Sequence, residues 1–269
     1  MTVDPAVFDA FAPTYDTDFT QTILGKMLRG RVWQTLERTF SPGQHILELA
    51  CGTGEDALWL AQHGIRVTAT DGSAEMIQTA CLKAQRAGVE KLIITKQYSF
   101  QDFVTSSLLK APIYDGVFSN FGGLNTIGDW RPLAESLARL VKPGGKAVLV
   151  PMGPVCPWET GWYLLHGRFS EAFRRFQKVS EAKIGEVTIP IWYPSARRLR
   201  SAFAPWFHHL ETRSLGFWLP PSYLDHLVNR WPAVFSRFNS FEAATARLTS
   251  GWGDHYIICF ERRNNVVVE

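Results

Sequence analysis

Residues 47–56 read Leu-Glu-Leu-Ala-Cys-Gly-Thr-Gly-Glu-Asp: an apolar run holding an acid at Glu48, a glycine pair at Gly52 and Gly54, and two carboxylates directly behind it. A glycine pair at the end of a strand lets the backbone approach a ligand where a side chain would clash, so the stretch reads as strand, loop and helix. A dinucleotide would set its pyrophosphate at the start of that helix, where the dipole and free N–H groups favour an anion. Glu48, Glu55 and Asp56 instead ring the loop with negative charge. That ring disfavours a nicotinamide-linked oxidoreductase using Gly52-x-Gly54-x-x-Ala57 as its fingerprint, a reading that stays open as an alternative of another class.

Working outward, residues 45–151 alternate short β-branched runs with amphipathic segments, the pattern of a parallel sheet covered by helices on both faces. Strands are predicted over 45–49, 66–70, 92–95, 113–119 and 146–150, the last after the turn Lys142-Pro143-Gly144-Gly145. Helices are predicted over 55–63, closed by Gly64, from the Ser73 cap to Gly88, and over 130–141. Beyond this core a helical insertion is expected up to about Pro205, with a helix over 168–179 and an extended piece over 187–191. Strand structure returns near 208–217, helices occupy about 222–248, and a last strand runs from His255.

The chain has 269 residues, 46% hydrophobic and 20% charged, enough for one substantial core with an insertion. Cys51, Cys81, Cys156 and Cys259 lie far apart without a C-x-x-C pair, which argues against a zinc site and a disulfide framework, and no metal is expected. A net charge of +3 is too small to predict nucleic-acid binding, and no apolar run approaches the roughly 20 residues of a spanning helix. With no basic and apolar leader at its start, the chain reads as cytoplasmic, with no membrane partner; the pattern sets no oligomeric state.

The ligand that suits the acid-ringed loop carries a cation and no phosphate. S-adenosylmethionine does, and its ribose needs a carboxylate, which Asp71 supplies at about the 20-residue distance after the glycines that such an acid requires. Asp71 as a plain helix-start acid and Glu48 as a surface carboxylate are the bland alternatives. The motifs together resemble the class I S-adenosylmethionine-dependent methyltransferases, in detail the group known as methyltransferase type 11 or type 25, over about residues 8–151. The loop motif is Glu48-Leu49-Ala50-Cys51-Gly52-Thr53-Gly54, the second motif Asp71 with Gly72, Ser73 and Met76, and the turn before strand five Pro143-Gly144-Gly145. The resemblance implies a Rossmann-like, seven-stranded, mostly parallel α/β sheet with a helical cap inserted after strand five. It implies S-adenosylmethionine as cofactor and S-adenosylhomocysteine as product. It divides the chain into a helical lid (1–40), the cofactor-binding core (41–151), a cap that selects substrate (152–207), the last two strands with inserted helices (208–263) and a tail (264–269). Tyr15 falls where the family's lid closes over the methionine end. Ala50 stands where many members carry a first glycine, and Ser99 where many hold an acid for adenine, leaving Phe100 and backbone groups for that role. Asn120 and Phe121 fall at the wall beside the methyl group, and Asn125 at the start of the substrate pocket.

The acceptor is left to the cap, whose many aromatics fit a small, apolar or aromatic molecule, with Trp158 and Trp192 foremost; for most of them the cap's own core is the simpler use. Arg168, Arg174, Arg175, Lys178, Arg197, Arg198 and Arg200 could attract an anion but read as solvated helix-face charges. A hydroxyl acceptor would call for a general base, with His255, His166 and Tyr15 foremost and His208, His209 and Glu159 behind them. The expected activity is methyl transfer to oxygen or nitrogen, with C-methylation in quinone or lipid metabolism as runner-up and non-catalytic cofactor binding as a further alternative. Cys51 has no positioned base, so no nucleophilic role is assigned to it.

Overall fold

In β1 (His45–Leu49), Ile46 packs among the residues on one sheet face while Leu47 and Leu49 pack on the other, the period of two that a strand imposes. The computed structural model describes residues 3–105, 111–184 and 186–264. Following α1 (Ile23–Thr39) and β1 come α2 (Glu55–Gln62), β2 (Arg66–Asp71), α3 (Ala74–Arg86), β3 (Ile93–Gln97), α4 (Phe100–Thr105), β4 (Tyr114–Ser119), α5 (Arg131–Leu140) and β5 (Val141–Leu149). The cap region holds α6 (Pro157–Leu165), α7 (Phe169–Ala172), β6 (Ser180–Ile184) and β7 (Val187–Ile191). Then follow α8 (Ala196–Phe203), β8 (Phe207–Leu215), α9 (Asp225–Arg230), α10 (Pro232–Thr245) and β9 (His255–Arg262). One sheet runs β3-β2-β1-β4-β5-β9-β8, parallel from β3 to β5 and antiparallel at β9. This is the Rossmann-like, seven-stranded, mostly parallel α/β sheet that the resemblance implied.

Local chemistry sets the helix ends. Ser73 caps α3 by accepting the Met76 N–H at 3.2 Å, and Thr22 caps α1 by accepting that of Gly25 at 2.9 Å. α2 closes before Gly64, whose φ of 75° only a residue without Cβ adopts freely. Leu28, Val32 and Leu36 of α1 cover one face of the sheet with Val228 of α9 and Phe235 of α10; Leu133 and Leu137 of α5 cover the other with Leu199 and Phe203 of α8.

The cap departs from expectation in two ways. The helix expected over 168–179 is broken into α7, a 3-10 turn at Arg174–Phe176 and the start of β6. Periodicity there misses the buried ion pairs of Arg175 with Glu159 and Asp254, tertiary contacts that override helical propensity. The extended piece expected over 187–191 is β7, but β6, which was not expected, pairs with it in a two-stranded antiparallel sheet. The insertion's last expected portion, α8, packs on α5 and β8 as part of the main core. Of the expected tail, residues 265–269 lie outside the described residues.

Among the described residues two non-glycine residues, Ala50 and Phe121, take positive φ, at 50° and 41°. They follow β1 and β4, and for a residue with a Cβ this region costs about 1–2 kcal/mol. A Cβ added at Gly123 would lie 2.5 Å from the Ala50 Cβ. Gly123→Ala is therefore expected to cost on the order of 1–3 kcal/mol in urea unfolding. The same change in an Ala50→Gly background should cost clearly less; equal costs in both backgrounds would mean that the two Cβ positions do not compete.

Candidate functional site

β1 lies between β2 and β4, so chain order reverses there and the loops after these strands diverge, the place where open α/β sheets hold ligands. A cavity of about 630 Å³ occupies that crevice. Leu49, Ala50 and Gly52 at the end of β1, Asp71 and Gly72 at the end of β2, and Phe121 after β4 form one wall. Of the residues singled out in the sequence, Tyr15, Ala50, Gly52, Asp71, Gly72, Met76, Ser99, Phe100 and Phe121 border this one space.

Asp71 is fixed by the backbone around it. Its Oδ2 accepts the Gly52 N–H at 2.9 Å and its Oδ1 the Ser73 N–H at 2.9 Å, which ties the glycine loop to the next strand. Burial pushes its carboxyl above the usual carboxylate range, and these amides pull it back. Each oxygen keeps lone-pair capacity for a further donor in the cavity. The N-terminal segment closes the same space: the 3-10 helix Pro5–Phe11 buries none of its residues fully, yet Pro5 and Phe8 border the cavity. That segment is pinned by polar links, Thr53 Oγ1 donating to Asp16 at 2.7 Å and Lys83 meeting Asp16 at 2.7 Å. Burial raises the Tyr15 phenol, against the opposing pull of Arg29.

The acid ring is not what the sequence suggests. Asp56 turns inward to a buried pair with Arg29 and accepts the Trp33 indole N–H at 2.7 Å, while Glu55 meets Lys83 at 2.9 Å. Glu48 shares its sheet face with Ile46 rather than with Leu49, so it is buried beside Asp56 and Arg29 and does not border the cavity. Its Oε2 has no hydrogen-bond partner among the described residues. Burial, reinforced by Asp56, pushes its carboxyl well above the usual range despite Arg29.

Other expected site residues prove structural or lie elsewhere. Gly54 does not border the cavity; a Cβ there would sit 2.7 Å from that of Ala80, so it serves the packing of the loop on α3. Cys51 is also off the wall, and burial pushes its thiol well up, which suits an inert side chain. Ser73 caps α3, and Ser99 forms a capping box with Asp102, donating N–H and O–H at 2.7 Å each and accepting the Asp102 N–H at 3.3 Å. Asn120 donates to Asp56 at 2.9 Å. The amide of Asn125 is spent on Met152 and on the Trp192 carbonyl, fastening the cap to the core. Trp192 is buried against Gly128, and Trp158 packs on Phe235; neither borders the cavity, because such large rings fill the cap's contacts with the core.

Of the candidate bases, Tyr15 alone borders the cavity. His166 bonds the Trp162 carbonyl at the exposed end of α6, while His208 and His209 lie exposed on β8. His255 sits behind the wall, edge-on to Phe121 at 5.4 Å and 3.1 Å from Asp254. Glu159 is consumed by Arg174 and Arg175. Residues that the sequence reading missed complete the wall, Ile127, Met152, Ile189 and Ile191, together with Tyr193, one of the cap's aromatics, and Arg174, which read as a solvated helix-face charge. The signal for two of them was present, since Ile189 and Ile191 alternate along an expected extended piece. Among the described residues no group of His, Cys, Asp and Glu could hold a metal ion, and no helix is long and apolar enough to cross a membrane.

Residues 46–145 match the family model described as methyltransferase domain. Over 113 residues the chain is 34% identical to the S-adenosyl-L-methionine-dependent Diels-Alderase iccD of Talaromyces variabilis, covering 40% of this chain and 36% of that protein. It is 30% identical to the 2-phytyl-1,4-naphtoquinone methyltransferase of Nostoc sp., covering 54% of this chain and 62% of that protein. The chain thus spans less than two thirds of the length of either relative. The solved structure of the [4+2]-cyclase SpnF superposes over 96% of this chain and 95% of that one, with a TM-score of 0.64 at 15% identity, a likeness of fold.

The buried Glu48 carboxyl generates a pH test. A carboxyl raised on folding holds its proton more firmly in the native state, so its contribution is intact below the usual glutamate pKa and is lost as pH rises through the folded value. Glu48→Gln should therefore gain stability relative to the parent between pH 5 and pH 8, read from urea unfolding at both. A difference independent of pH would mean that Glu48 ionises normally.

Proposed function

We propose, on the premise that residues 46–145 form a class I S-adenosylmethionine-dependent methyltransferase domain, that this protein transfers a methyl group to a small, apolar or aromatic molecule. One observation carries the reading: a single cavity is walled on one side by the glycine loop and Asp71 and on the other by Ile189, Ile191 and Tyr193 of the cap region. The residues present fit the cofactor. Asp71 offers its remaining lone pairs to ribose hydroxyls, Met76 and Phe100 offer apolar surface to a flat base, and Ala50, Gly52 and Tyr15 border the space for the amino-acid end. When bound, S-adenosylmethionine supplies an electrophilic methyl group. The protein's own share is positioning and water exclusion, the latter by Ile127, Met152, Ile189 and Ile191.

Because His166 and His255 do not border the cavity, and burial holds the Tyr15 phenol in its protonated form, an oxygen or nitrogen acceptor arrives already nucleophilic in this reading. A second reading, transfer to a carbon of a quinone-like ring, is supported by the relative named as a phytyl-naphthoquinone methyltransferase and by the same lack of a histidine base at the wall.

S-adenosylhomocysteine should raise the melting midpoint in a saturable way while NAD and NADP do not. Asp71→Asn should cost on the order of 1.5–3 kcal/mol of S-adenosylhomocysteine binding in calorimetry. Stabilisation by NADP alone would defeat the reading, and unchanged affinity in the variant would move the ribose elsewhere. Donor binding without transfer to any of a panel of hydroxylated aromatics and naphthoquinols would leave a cofactor-binding protein and no enzyme.

A further inference from the structure

Among the described residues that border the cavity, the charged ones are Asp4, Asp71 and Arg174. The two acids belong to the N-terminal segment and the ribose side; Arg174 comes from the cap. Its guanidinium is held in place, with Nε and Nη2 each donating to Glu159 at 2.9 Å. Behind it Glu159 also accepts from Arg175 at 3.0 and 2.9 Å, and Arg175 reaches on to Asp254 at 2.6 Å. Charges therefore alternate along Arg174, Glu159, Arg175 and Asp254, and only the first of the four borders the cavity. Glu159 is divided between two guanidiniums, so the chain presents its positive end to the cavity and its negative end away from it.

Tyr193 borders the same space. Its ring lies under the Arg175 guanidinium at 4.9 Å, and its hydroxyl has no hydrogen-bond partner among the described residues. Burial keeps this phenol in its protonated, donating form. The cap region thus offers a fixed cation and an O–H donor on an otherwise apolar wall of Ile127, Met152, Ile189 and Ile191.

We propose that Arg174 and Tyr193 form a subsite for one anionic oxygen, so that the acceptor is a flat apolar molecule bearing an enolate, phenolate or carboxylate. The charge-assisted bond fixes the molecule's register, and an acceptor that enters already ionised accounts for a site whose histidines stand off the wall. The role given to the subsite rests on the methyltransferase reading, but its binding test does not.

The test uses the 269-residue protein saturated with S-adenosylhomocysteine at pH 8, titrated calorimetrically with three probes: 2-naphthoate, 2-hydroxy-1,4-naphthoquinone, which is an enolate at this pH, and neutral 2-naphthylmethanol. At least one anion should bind tenfold or more tightly than the alcohol, and the preferred anion distinguishes carboxylate from enolate. Arg174→Gln should erase that preference while leaving the alcohol within threefold. Tyr193→Phe, which leaves every ion pair intact, should weaken the preferred anion about threefold or more. S-adenosylhomocysteine affinity and the melting midpoint, measured on each variant, separate this effect from misfolding, and their failure in the parent would strike at the donor reading instead. Equal affinity for the three probes, no saturable binding of either anion, or an anion preference that survives both substitutions would overturn the subsite.

Discussion

The carboxylate of Asp56 is the point on which the crevice is hung. It stands in the first turn of α2, directly behind the glycine loop, and takes Arg29 and Trp33 from α1 and Asn120 from the end of β4. Three segments distant in sequence thereby meet on one buried group. A buried ion pair of this kind is weak as a source of net stability, but losing one partner strands the other charge, at about 3–5 kcal/mol. Its value here is geometric. The same Arg29 guanidinium lies 5.0 Å from the Phe121 ring, so the position of the β4 wall follows from the pair that holds the loop.

The half of the cavity built from the strand-end loops was legible because its logic is local. Gly52, Asp71, Gly72 and Met76 are placed by strand–loop–helix spacing, which short-range geometry enforces, and each borders the cavity. Glu48 was misplaced although the signal was there: the alternation that sets Leu47 and Leu49 on one face sends Glu48 to the other. The cations that neutralise the acid ring were not legible, because Arg29 and Lys83 reach it from helices remote in the chain.

The cap was harder for a related reason. Ranking its aromatics by size favours Trp158 and Trp192, yet large rings are what a small subdomain needs to attach itself, and both are used that way. The cavity is left to side chains of ordinary size, Ile189, Ile191 and Tyr193. Arg175, read as a solvated charge, is the opposite: 5% exposed at its side chain and joined to two carboxylates and to the carbonyls of Gly153 and Asp254. No pattern of charge along a helix face distinguishes an arginine that is solvated from one around which a loop closes.

The N-terminal segment has a kinetic consequence. The cover is held by Asp9 to Ser73 and by Asp16 to Thr53 and Lys83, with no fully buried residue in its Pro5–Phe11 turn, so few polar links stand between it and an open state. Such openings lie at the low end of a protein's local free energies, and the Lys83 link weakens as counterions accumulate. The dwell time of whatever lies beneath is therefore tied to ionic strength, while the sheet and its cores are indifferent to it. How long the cavity holds a molecule and how stable the sheet is are thus set by different forces: screened surface charge for the one, apolar burial for the other.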